Sequence, residues 1–167
     1  MNGSKEVAGG KFSYVASYAQ QTDYESSPFD YSADYYLLEG VFAKKGFSGG
    51  VGYEVLGGDD ERGFQTPLAT LHKFQGWADK FLTTPTAGIE DLYVKAGYSP
   101  GDVGPFKGMK FSAIYHDFSA ETGSADYGSE INLLATAKWK KLGLTLKYAD
   151  YNADGCLLYT SPSPRDA

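Results

Sequence analysis

The chain has 167 residues, enough for one domain, and combines 14 Tyr and 10 Phe with 21 Gly and one Cys. Its formal net charge of −6 argues against a nucleic-acid partner, and the single cysteine, Cys156, excludes an internal disulfide. No run of about 18 apolar residues is present, which excludes a transmembrane helix, although a transmembrane β-barrel needs no such run.

An apolar/polar period of two predicts strands, because side chains alternate faces along a strand. Residues 11–21 place Tyr rings on one face and small residues on the other, and form the first predicted strand. The second and third are predicted at residues 34–43 and 47–56, joined by a tight turn at 44–46. Inward glycines in the third strand predict a curved wall or close packing inside it.

A long connection follows at residues 57–88 and is too long to lack a role of its own. It is predicted to contain a short helix, with Thr66 as N-cap, Pro67 at the first helical position and Gly76 at the end. The loop carries enough apolar surface to fold onto another part of the chain.

Four more strands are predicted in the second half of the chain. Residues 90–98 and 109–118 form the fourth and fifth, separated by a turn-rich connection at 99–108. Residues 129–151 form a hairpin of two strands, with a turn at 140–143, one apolar face and one polar face. This gives about seven strands, each near the 9–11 residues that a tilted strand needs to cross a bilayer.

The connections alternate in length, which is typical of outer-membrane barrels. Long polar loops follow the first, third and fifth predicted strands, and compact turns follow the second, fourth and sixth. Aromatic residues also cluster near strand ends on the apolar face, as interfacial girdles require. They are Phe12, Tyr18, Tyr36, Phe42, Tyr98, Tyr115, Trp139 and Tyr148.

The predicted fold class is therefore an all-β, antiparallel, up-and-down transmembrane β-barrel with one long loop. Bacterial single-chain barrels use at least about eight strands and must close, because hydrocarbon leaves no solvent for unpaired backbone groups. Seven strands indicate an incomplete barrel, either a fragment or a subunit whose edges another chain pairs. The alternative is a soluble or surface-attached all-β binding module whose apolar face packs on a second sheet.

Inward-facing ionisable residues are predicted to line a pore and to select solutes by charge. The alternative is that they pair across neighbouring strands. This predicted pore-lining set is Glu39, Glu54, Asp91, Lys95, Lys110, His116, Glu130, Lys138 and Lys147.

Part of the long loop, Gly63 to Leu82, is predicted to fold into the lumen as a constriction, and the alternative is a surface cap. The residues assigned to this constriction loop are Leu68, Leu71, His72, Lys73, Phe74, Trp77, Asp79 and Lys80.

The sequence predicts no enzyme, cofactor or metal site. His116 and Asp117 are neighbours in a strand and point to opposite faces, so adjacency does not make them a catalytic dyad. Asp59, Asp60 and Glu61 offer oxygen ligands for Ca²⁺, but three adjacent carboxylates lack the spacing of a calcium loop. A solvated acidic loop is the preferred interpretation.

The segment FQTPLATLHKFQGWADKF at residues 64–81, followed by GIEDLY at 88–93, resembles the C-terminal part of the alginate export family of outer-membrane β-barrels. The segments YHDF at 115–118 and KYADY at 147–151 are similar to the closing strands of that family. The resemblance implies a monomeric barrel among the lipids of a Gram-negative outer membrane. It also implies that the barrel is a channel for the passage or export of polar solutes, of which the anionic polysaccharide alginate is one example.

Both ends depart from the pattern of that family. No apolar segment of a signal peptide follows Met1, and the N-terminal strands and the final aromatic-ended strand of the family are absent. Residues 156–167 look like the translation of a sequencing adapter. Residues 1–155 are therefore predicted to be a partial barrel and residues 156–167 to be non-native.

Overall fold

The computed structural model describes residues 1–24, 31–59, 61–67 and 74–153, and its eight strands form one antiparallel sheet. The strands follow one another in chain order, and each pairs with the next. β1 and β8 are the two edges, so the sheet is not closed. The strands are β1 Asn2–Val7, β2 Gly10–Thr22, β3 Ser32–Lys44, β4 Phe47–Leu56, β5 Ile89–Val103, β6 Phe106–Ser119, β7 Asp126–Trp139 and β8 Leu142–Asn152.

The eighth strand, absent from the prediction of about seven, is β1. It pairs with β2 from Asn2 opposite Val15 to Val7 opposite Gly10. Its sequence, NGSKEV, has no apolar alternation and therefore gives no strand signal. Short, charged strands are common at sheet edges, because they discourage pairing with other chains.

The predicted connection at 99–108 is wrong, because both neighbouring strands extend through it. The turn is only two residues long, at 104–105. The β5–β6 register shifts on either side of Gly101, next to Pro100. Such irregularities let a strand hold a proline, which cannot donate to the ladder.

The predicted alternation of short and long connections is confirmed. Lys45 and Gly46, with φ of 51° and 84°, form a two-residue turn, and positive φ at both positions suits the strand twist. We call the end of the sheet with the two-residue turns the turn end, and the opposite end the loop end. The turns lie at 8–9, 45–46, 104–105 and 140–141, and the long connections at 23–31, 57–88 and 120–125.

The register places the alternating residues of β2–β8 on two faces. Phe42 lies opposite Gly49, and Leu133 opposite Tyr148, so apolar positions follow one another across the sheet. This face is open, with Leu38 61% and Leu146 70% exposed. We call it the apolar face and its opposite the polar face. Large exposed side chains on the apolar face are Phe12, Tyr14, Tyr18, Tyr36, Leu38, Phe42, Phe47, Val51, Tyr53, Leu92, Val94, Tyr98, Phe111, Tyr115, Ile131, Leu133, Trp139, Leu142, Leu144, Leu146 and Tyr148.

The buried hydrophobic core lies on the polar face, at the loop end. Leu56, Ile89 and Phe118 are at most 1% exposed there. Phe64 and Phe81 of the 57–88 connection, which we call the long loop, pack against them. The core therefore forms between the sheet and its own loop.

The short helix predicted in the long loop lies mostly outside the described residues. Neither end of it, at Thr66 and Pro67 or at Phe74–Gly76, is helical, and residues 68–73 lie outside the described residues. Gln75 and Gly76 have φ of 47° and 82°, so neither of these two residues is itself helical. Across the described part of the chain, no helix has the length and apolar character to span a membrane.

Candidate functional site

A row of side chains crosses the polar face beneath the long loop. The register sets Glu39 of β3 opposite Gly52, Gly52 opposite Tyr93 and Tyr93 opposite His116. The row continues to Glu130 of β7, which lies opposite His116. Directly opposite residues lie close enough to interact, so the register alone assembles this site from five strands.

Gly52 makes room for an interaction that spans three strands. A Cβ at this position would lie 2.1 Å from Cζ of Tyr93. The Tyr93 hydroxyl donates to Glu39 Oε2 at 2.8 Å, and Lys95 Nζ donates to the same oxygen at 2.5 Å. The close packing predicted at the inward glycines is confirmed here, and Lys95 is neutralised by a carboxylate.

We expect Gly52→Ala to destabilise the chain by about 1–3 kcal/mol, the usual cost of overpacking. The new methyl group would displace the Tyr93 ring from Glu39. Gly49→Ala is the matched control, because Gly49 lies on the apolar face of the same strand and its nearest atom is 4.0 Å away. Urea unfolding of the chain in detergent micelles measures both changes. Equal losses of stability in the two variants would contradict the conclusion that Gly52 makes room for the Tyr93 ring.

Asp91 and His116 form a buried pair between β5 and β6. His116 Nδ1 lies 3.0 Å from Oδ1 and 2.9 Å from Oδ2 of Asp91. The residues are 1% and 7% exposed, respectively. The ring nitrogen Nε2 has no hydrogen-bond partner among the described residues.

Glu130 holds the long loop on the sheet. Its Oε1 accepts the backbone N–H groups of Trp77 at 2.5 Å and Ala78 at 2.9 Å. Gly76, with φ of 82°, lies against the same carboxylate, where a Cβ would be 2.6 Å from Cδ. Glu130 is 1% exposed, and a buried carboxylate needs such donors to offset its lost hydration.

Aromatic contacts also hold the long loop on the sheet, on either side of its hydrogen bonds to Glu130. Phe81 packs on Phe118 with ring centroids 5.0 Å apart, and the Phe64 ring lies 5.8 Å from that of Tyr35. Lys147 Nζ lies 4.9 Å from the centroid of the Trp77 ring, within the range of a cation–π interaction.

Asp59 organises the start of the long loop. Its carboxylate accepts the N–H of Arg62 at 2.8 Å and the N–H groups of Glu61 and Ser32 at 3.1 Å. These bonds, above all the one from Arg62, hold the pKa of Asp59 below its usual value. Asp60 lies outside the described residues. In the described ranges, no group of three or more metal-binding side chains is present.

A partly open cavity of about 240 Å³ lies between the long loop and the polar face. Phe74–Trp77 form its loop side, and residues of β3–β6 form its sheet side. The ionisable residues of its wall are Glu39, Glu54, Asp91, Tyr93, Lys95 and His116.

All nine residues predicted to line a pore lie on the polar face, but at different depths. Toward the loop end, Glu54, Asp91, His116 and Glu130 are buried. Glu39 and Lys95 are half-buried, and Lys110, Lys138 and Lys147 are exposed.

The predicted constriction residues divide between contact with the sheet and solvent. Phe74, Trp77 and Asp79 are half-buried, and Lys80 is exposed. Leu68, Leu71, His72 and Lys73 lie outside the described residues.

The prediction omitted several residues that build the site. Tyr93 lies on the predicted inward face. It was omitted because the predicted pore-lining set did not include polar side chains such as tyrosine. Gln75 lines the cavity and Gly76 adjoins Glu130, but Gln75 does not stand out in the sequence, and Gly76 was predicted only as the end of a helix. Comparison of this chain with protein-family models, curated proteins and solved structures found no match.

Proposed function

We propose that this sheet is part of an outer-membrane β-barrel channel for small polar solutes. In this proposal the apolar face contacts lipid, the polar face lines an aqueous pore, and the long loop narrows that pore. The observation that carries it is the separation of the two faces. The apolar face is continuous and exposed, whereas the long loop covers the loop end of the polar face.

The open sheet edges fit this proposal only if they gain partners in the membrane. Hydrocarbon offers no hydrogen bonds to exposed backbone, so β1 and β8 would pair with each other or with further strands. The proposed channel is therefore a closed barrel that contains these eight strands.

The charges of the site favour small polar solutes over the anionic polysaccharide that the resemblance implies. The cavity wall carries the carboxylates of Glu39, Glu54 and Asp91. Lys95 is bound to Glu39, so it offers little attraction to an anionic polymer. We therefore do not extend the proposal to alginate.

The apolar face should respond to charge in a depth-dependent way if it contacts lipid. We expect Val94→Lys, midway along β5, to cost about 2–4 kcal/mol, and Leu142→Lys, beside a turn, about 0–1 kcal/mol. Thr145→Lys is the control on the polar face, where water would accommodate the charge. Urea unfolding from lipid vesicles measures all three.

Reconstitution of the full chain tests the channel itself. We expect it to partition into detergent, to show heat-modifiable gel mobility and to conduct ions in planar bilayers. A chain that stays in the aqueous phase and binds no detergent would instead support a soluble all-β binding module.

A further inference from the structure

Two residues in the wall of the cavity under the long loop each carry a buried polar atom that the fold leaves unused. His116 Nε2 and Gln75 Nε2 have no hydrogen-bond partner within the described ranges. Their residues are 7% and 2% exposed, and both line the cavity. Leaving such a group unsatisfied costs about 1–3 kcal/mol, so a ligand that satisfies both atoms recovers part of that free energy.

The two atoms are complementary to a hydroxyl group. An ionised Asp91 can only accept, so in the neutral ring His116 Nδ1 donates to it and Nε2 is an acceptor. The Gln75 Nε2 amide is a donor. A hydroxyl can donate to the first and accept from the second, whereas an ammonium group cannot accept and a carboxylate cannot donate.

The charged groups of the cavity already have partners in the protein. Lys95 and the Tyr93 hydroxyl are both bound to Glu39 Oε2. The Tyr35 hydroxyl donates to Glu54 Oε1 at 2.7 Å. An ionic ligand would have to compete with these pairs, but an uncharged one would leave them intact.

Size and aromatic content narrow the ligand class further. The volume of about 240 Å³ is below the roughly 300–1,000 Å³ of sites for drug-sized ligands. Phe74, Trp77 and Tyr93 contribute aromatic rings to the wall, which offer apolar surface to C–H groups.

We propose that this cavity binds one uncharged polyhydroxylated solute, about the size of a single sugar ring. His116 and Gln75 bind a hydroxyl of that solute, and the aromatic rings contact its carbon skeleton. The inference rests on the proposed channel function and names the solute class that the pore holds.

Fluorescence of Trp77 provides the test, with the full chain in detergent micelles. Trp139→Phe removes the other tryptophan, which lies on the apolar face. We expect saturable changes with sorbitol or glucose, and comparison of these two distinguishes a linear from a cyclic solute. Gluconate, which is anionic, and glucosamine, which is cationic, should bind more weakly. Equal binding of gluconate, or no saturable change in the folded chain, would overturn the inference.

Two variants test the assigned atoms. Gln75→Met keeps the side-chain length but removes the donor, and His116→Gln replaces the acceptor ring. Each should weaken binding by up to about tenfold, the effect of one neutral hydrogen bond. Gln20→Met is the matched control, because Gln20 is exposed on β2 outside the cavity. Unchanged binding in a folded Gln75→Met variant would contradict the assignment, even if His116→Gln fails to fold.

Failure of this inference is distinguishable from failure of the channel proposal. A chain that conducts ions in bilayers but binds none of the uncharged solutes overturns the binding site alone. A chain that binds sorbitol in micelles but forms no conducting pores supports the site and contradicts a channel closed by these eight strands alone.

Discussion

Gly76→Ala is expected to release the long loop from the sheet. Two effects act together in this variant. A non-glycine residue at φ of 82° costs about 1–3 kcal/mol, and the new Cβ would lie 2.6 Å from the Glu130 carboxyl group. Because the loop covers one end of the polar face, its release should widen the proposed pore. Single-channel conductance should rise, and proteases should cut the loop more readily.

Gly101→Ala is the matched control for this variant. Gly101 has the same φ of 82°, but nothing lies within 4 Å of its Cβ position. Both variants therefore carry the backbone strain, and only Gly76→Ala carries the collision with Glu130. If both raise conductance equally, the contact with Glu130 does not hold the loop.

Glu130→Ala is expected to free the same loop from the opposite side. The N–H groups of Trp77 and Ala78 would lose their shared acceptor, and an unsatisfied buried donor costs about 1–3 kcal/mol. Glu130→Gln keeps an acceptor oxygen without the charge, so its loss of stability should be smaller. Urea unfolding in micelles and protease cutting of the loop measure both variants.

Combining the two substitutions shows whether they act on one contact. Glu130→Ala removes the group that a Cβ at position 76 would strike, so the double variant should be less destabilised than the sum of the single variants. Residues in direct contact typically deviate from additivity by about 0.5–3 kcal/mol. Strict additivity would place the two effects at separate points of the structure.

Much of the sheet was accessible from the sequence, because the polarity of a strand follows directly from its alternation. β4 was predicted with its observed bounds, and the alternation of turns and loops was predicted correctly. β1 was missed because its sequence, NGSKEV, has no apolar alternation. The extension of β5 through Pro100 was missed because a shifted register offsets the usual effect of proline.

The site was predictable only in part. Alternation placed Asp91, His116 and Glu130 on one face, and the register then determined their separations. The contact of Glu130 with Trp77 depends on how a loop more than 50 residues earlier folds back, which local patterns do not encode. The position of Gln75 in the cavity wall depends on the same folding of the loop, so local patterns do not predict it either.

The meander topology limits how such a sheet can change in size. Each strand pairs only with its sequence neighbours, so a hairpin can be gained or lost without breaking the pairing of the others. Steps of two strands also keep the long connections at one end. The Glu130 contact restricts where this can happen, because it joins the loop after β4 to β7. Hairpins duplicated beyond β8 would preserve the contact between the long loop and Glu130. A hairpin inserted between β5 and β6 would move Glu130 too far from the long loop for this contact to form.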